Sequence, residues 1–191
     1  MDKKRLTVML DVVFAVAMIW ATREIGLPSE RTLQGFWSLR RELMRTATSL
    51  LWMMALWLGL YRPFDRAARV DRWTVLAGAG LMLLALPLHW FTTLIIFSYK
   101  ARLSQIIYCG YMLLTLAADY LMLLALGRAN GDVPECVEAA RRHRKALPGA
   151  AGILAVGLVV SAVKFRQASW YSAVAASVFL IVMAVLQAKE D

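Results

Sequence analysis

Charge is what this 191-residue sequence has least of: Asp, Glu, Lys and Arg together make up 18%, and only 13 residues are acidic. A soluble domain carries about 25% charged residues. Cysteine is nearly absent, with Cys109 and Cys136 alone, which excludes a disulfide framework. The two histidines, His89 and His143, are far apart and lack metal-ligand spacing, so no metal site or other cofactor is expected. There is no phosphate-cradling glycine loop and no HExxH. No Ser-His-Asp or Cys-His set is recognisable, and the chain reads as a non-enzyme.

What is present is apolar: 60% of residues are hydrophobic, against about 45–50% in soluble domains. That excess points to a membrane protein. The reading is an all-α, polytopic integral membrane protein with one six-helix transmembrane domain over 1–191. Spans are expected at about 6–22, 46–61, 73–99, 106–126, 149–163 and 169–187. The first apolar run contains Asp11 and lacks a small-residue cleavage pattern before Arg23, so it is read as a retained span. Residues 32–45 are amphipathic, with Leu33, Phe36, Trp37, Leu43 and Met44 on one face, and read as an interfacial helix. Pro87 should kink the third span. Residues 127–148 read as a cytosolic loop holding a short helix that starts at Asp132-Val133-Pro134-Glu135. The last two spans are rich in Ala, Val, Ser and Gly, which allows close helix approach.

The net charge of +9 belongs to the loops. With six spans and the N-terminus inside, thirteen of the 22 basic residues lie on the cytoplasmic side, which favours cytoplasmic termini. Membrane lipids are the expected partners, and nucleic acid is not, because the basic clusters lack base-reading groups. The run Arg141, Arg142, Arg144 and Lys145 reads as an anionic-lipid anchor, with an anionic cytosolic ligand as the alternative.

Acids inside membrane helices are costly and are normally paired or turned to a polar interior. Asp11 and Asp119 are two such acids. Together with Arg5, Arg62, Arg66, Arg69, Asp71 and Arg72 they are expected to form a polar cluster at the cytoplasmic ends of spans one to four.

Arg5-Leu6-Thr7-Val8-Met9-Leu10-Asp11 resembles the signature Arg-x-x-x-Phe-Ser-Asp that opens the first span of the transmembrane-protein-175 family, the endolysosomal and bacterial potassium channels. Val12–Trp20, Arg62-Pro63-Phe64, the connector Arg69-Val70-Asp71-Arg72 and Leu86-Pro87 follow in the family's order. The resemblance covers most of residues 3–126. The family's Phe and Ser are Met9 and Leu10 here, and its polar positions in spans two and three correspond to Gly59, Leu60 and Gly78. Asp11 must therefore find other partners, and the arginines of residues 62–72 are the candidates. The resemblance implies a homotetrameric potassium channel in a bacterial plasma membrane, with the first helix lining the pore. By position, Val16, Trp20 and Arg23 correspond to its constriction, and they share one helix face. Val16 suits a dewetting gate or ordinary packing; Trp20 suits a plug or an interfacial anchor. Arg23 opposes cation passage unless Glu24 neutralises it, it snorkels to headgroups, or the pore passes anions. The competing reading is a membrane scaffold, or a pore silent until a cytosolic partner or anionic ligand binds.

Overall fold

The computed structural model describes residues 2–28, 30–98, 100–163, 165 and 167–189, with only the backbone of Ala188 and Lys189. Tyr99, the expected end of the third span, lies outside them, as do Lys164, Arg166, Glu190 and Asp191. The described chain is all helical: α1 (Lys3–Arg23), α2 (Leu33–Ser38), α3 (Arg40–Arg66), α4 (Arg72–Ala85), α5 (Leu88–Phe97), α6 (Arg102–Ala129), α7 (Pro134–Val163) and α8 (Ala168–Lys189). Six helical stretches are long and apolar enough to cross a bilayer, with α4 and α5 forming one of them.

α1 starts at Asp2, whose carboxylate accepts from the Lys4 amide at 3.3 Å. Leu6, Leu10, Phe14, Ala17 and Ala21 recur every three to four residues and bury one stripe. That stripe packs on α3 and α4. α3 runs through the centre and touches every other helix except α4 among the substantial contacts. Its Trp52 is fully buried and donates from Nε1 to Thr115 Oγ1 of α6 at 3.0 Å. Satisfying that indole N–H inside the bundle removes the cost of a lone donor in hydrocarbon.

The proline break falls where expected: α4 stops at Ala85, and α5 resumes at Leu88. The Leu84 carbonyl, released at this break, accepts from the Tyr111 hydroxyl of α6. Phe91 stacks on the Tyr111 ring at 3.8 Å between centroids, so α6 holds the kink from both sides.

Three boundaries need correction. The interfacial helix ends at Ser38 rather than residue 45, because Arg40 begins the long α3. Arg62–Arg66, expected in a loop, is the last turn of α3, with Pro63 accommodated inside the helix. The expected loop 127–148 is helical over most of its length. α6 runs on to Ala129, and the helix that begins at Pro134 continues through Pro148 to Val163. One proline removes a single helical hydrogen bond and ends a helix only where packing does not hold it. Here Cys136, Ala140, His143, Ala146 and Leu147 are all buried, so this segment belongs to the bundle.

The connector 67–71 is tied to the α6–α7 turn by Asn130, which is fully buried. Its Oδ1 accepts from the amides of Ala68 (2.8 Å) and Arg69 (3.0 Å). Its Nδ2 donates to the carbonyls of Arg69 and Leu126, both at 2.9 Å. All four hydrogen-bonding positions of the amide are thereby used. At the other end of the bundle, α7 and α8 cross closely where Gly157 meets Ser172, as the small residues of these spans predicted.

Candidate functional site

α1 is the least covered span: only 28% of its most apolar window is buried, against 56% for α3. One side carries the buried stripe. The other presents Val8, Met9, Val12, Val16, Ile19 and Trp20, each 49–67% exposed. Arg23 ends this face with its guanidinium 5.8 Å from the Trp20 ring centroid, in cation–π range. Val16, Trp20 and Arg23 therefore share one exposed surface, and none belongs to the buried core. Glu24 does not pair with Arg23. Its carboxylate lies 3.3 Å from Arg45 and 3.1 Å from His89 Nε2, while His89 Nδ1 meets Ser49 Oγ at 3.1 Å. This Glu24–Arg45–His89–Ser49 chain, buried except at Glu24, clamps the end of α1 to α3 and α5.

Asp11 sits at the edge of the exposed face. Its carboxylate accepts from the Trp57 indole of α3 at 2.9 Å, rather than from an arginine of residues 62–72. An indole is a single uncharged donor, and Asp11 beside it lines a groove of about 450 Å³ between α1 and α3. Lys3 and Lys4 also border this groove. Lys3 Nζ donates to the carbonyls of Asp65 (2.9 Å) and Ala67 (2.5 Å), fixing the start of α1 on the end of α3.

The expected polar cluster is dispersed. Arg5 is exposed. Arg62 donates to the Gln187 carbonyl at 2.7 Å. Arg69 pairs with Asp132 at 2.8 Å. Arg72 lies over Trp73. Asp71 caps α4, accepting from the Thr74 amide at 2.8 Å and its hydroxyl at 2.7 Å. Partial burial acts to raise the Asp71 pKa, but hydrogen bonds from Thr74 and from the Asp71 and Trp73 amides together outweigh it and hold the group below the usual aspartate value.

Asp119 is fully buried, and its partner is His143 of α7, Nε2 to Oδ2 at 3.2 Å. Asp119 Oδ1 and His143 Nδ1 are buried without a hydrogen-bond partner among the described residues. The ring fits because residue 59 is glycine: a Cβ there would overlap His143. Of the basic run, Arg141 and Lys145 are exposed, Arg142 pairs with Glu138 at 3.1 Å, and Arg144 lies over Tyr120. Among the described residues no group of three or more His, Cys, Asp or Glu is arranged to hold a metal ion.

Sequence reading missed Trp57 and His143. Spacing offered one signal for His143: a helix continued through Pro148 puts it on the same face as the core residues Ala140 and Leu147. Nothing in the sequence pairs Trp57 with Asp11.

Residues 5–88 match the profile of the family described as "Endosomal/lysosomal potassium channel TMEM175". No curated protein matches the chain in sequence. A solved structure described as that of "a lysosomal potassium-selective channel TMEM175 homolog from Chamaesiphon Minutus" has a TM-score of 0.78 at 18% identity, covering 95% of this chain and 97% of that one. Its fold is the fold of α1–α8. Residues 5–88 thus carry the pattern of that family, and the chain shares the fold of that structure over nearly its full length.

Proposed function

We propose that the chain is one subunit of an oligomeric ion channel, a homotetramer, with α1 lining a potassium-permeable pore. The uncovered apolar face of α1 carries the proposal. Its 21 residues span about 30 Å, the depth of the hydrocarbon core. Four such faces around an axis would enclose a pore lined by Val12, Val16, Ile19 and Trp20. Selectivity would come from constriction width and dehydration, with Val16 as the dewetting gate. Arg23, stacked on Trp20, would stand at one mouth. The termini are assigned to the cytoplasm and the host bilayer to a bacterial plasma membrane.

The Arg23–Trp20 stack also favours a second reading. A ring of tryptophans and arginines would close the path, so the pore would stay silent until a partner or an anionic ligand moves it. Potassium flux from purified protein in liposomes separates the two. Spontaneous flux that rises in Trp20→Ala supports the channel; silence in both proteins supports the gated form. Counting subunits by stepwise photobleaching in lipid tests assembly, and a monomer would end both readings.

A further inference from the structure

We propose that a groove where α3, α5 and the start of α8 meet holds one anionic glycerophospholipid. Its phosphate would sit on Arg40 and Arg41, and an acyl chain along Met44, Ile95, Ile96 and Trp170. This inference rests on the six membrane spans alone and is independent of conduction.

The groove has a volume of about 250 Å³ and is lined by those six residues and Gln167. Its floor is apolar: Ile95 and Ile96 are buried, and the Trp170 ring is fixed by its indole N–H on Thr48 Oγ1 at 2.7 Å. Its rim carries two cations and, among the described residues, no acid. Glu42, the acid in the same turn, is engaged elsewhere, accepting from the Gly26 amide at 3.0 Å. Arg40 is oriented rather than loose: it donates to the Trp37 carbonyl at 3.0 Å and lies over that indole, with further guanidinium donors left to spare.

The charge placement is unfavourable without an anion. Arg40 and Arg41 stand in the first turn of α3, at the positive end of the helix dipole, and Leu39 offers no side-chain cap. A phosphate there satisfies the helix end and both guanidinium groups together. Depth agrees: Leu33, Phe36 and Trp37 of the preceding α2 are 60–90% exposed, which suits the headgroup belt of a bilayer and not water. With two cations and no acid, the site favours a headgroup of net negative charge over a zwitterion.

The test is lipid retention by native mass spectrometry of the full chain in detergent, with phosphatidylglycerol and phosphatidylcholine as probes. Thermal shift is read in parallel. The expected result is one phosphatidylglycerol retained per subunit. R40Q/R41Q should weaken it about 30-fold, at roughly fivefold per arginine–phosphate attraction lost, and phosphatidylcholine should be unaffected. R141Q/K145Q should retain it fully. Met44→Trp, which fills the apolar half while keeping both arginines, should also lose it. Equal retention by R40Q/R41Q and the parent, loss that follows Arg141 and Lys145 instead, or undiminished binding in Met44→Trp would overturn the assignment. So would a thermal shift reproduced by glycerol 3-phosphate, which would mean a free-phosphate site.

Discussion

Gly59→Ala should be among the most damaging single substitutions in the bundle. The residue lies on α3 directly against the His143 ring of α7, and an added methyl would overlap that ring. His143 is 2% exposed and cannot swing into solvent. Two costs follow. Forcing a methyl into a filled interface costs about 1–3 kcal/mol. Moving the imidazole off Asp119 leaves a fully buried carboxyl group without its His143 partner, a further ~1–3 kcal/mol for an unsatisfied buried polar group. Together they predict a loss of about 2–6 kcal/mol, a large share of ordinary protein stability. Thermal unfolding of the detergent-solubilised protein, followed by tryptophan fluorescence, measures it. His143→Ala separates the two causes: it costs stability by itself, because Asp119 is orphaned, but removes the ring that the added methyl would strike. In that background Gly59→Ala should cost under about 1 kcal/mol, a coupling of at least ~1 kcal/mol. Additive effects, or a stable Gly59→Ala single mutant, would refute the close packing of α3 on α7.

The Asp11–Trp57 bond predicts an ordered series. Asp11→Asn keeps an acceptor for the indole and should be mild, whereas Asp11→Leu and Trp57→Phe should each lose about 1–2 kcal/mol in the same assay. Tyr111→Phe strips the hydroxyl from the Leu84 carbonyl at the Pro87 break and should cost about 1–3 kcal/mol. Asp71→Ala should lose about 1 kcal/mol of helix capping at neutral pH. Because the folded Asp71 pKa is lowered, its contribution is fully present above the ordinary aspartate value and fades as the pH falls through the lowered one. The gap between the parent and Asp71→Ala should therefore narrow only in acid, and a gap independent of pH there would contradict the cap.

Length and hydropathy made the six spans legible, because a helix that crosses a bilayer needs a long apolar run whatever its neighbours are. The kink at Pro87 was equally readable, since the missing N–H is a property of the residue itself. Pro148 shows where such reasoning stops. It carries the same chemical defect, yet α7 runs straight through it, because Ala146, Leu147 and Ala150 are already buried against neighbouring helices. The polar residues divide on the same principle. That Asp11 and Asp119 need partners follows from the cost of a lone carboxylate in hydrocarbon. Which partners they take depends on helix rotation and depth, which periodicity does not encode. Asp11 faces an indole one helix away, and Asp119 faces an imidazole on a helix that the sequence reading had assigned to a loop. A vacant side chain was the least readable feature. Gly59 provides the space that His143 fills. The imidazole on that contact comes from α7, across the helix interface, and the glycine of α3 contributes only the room for it.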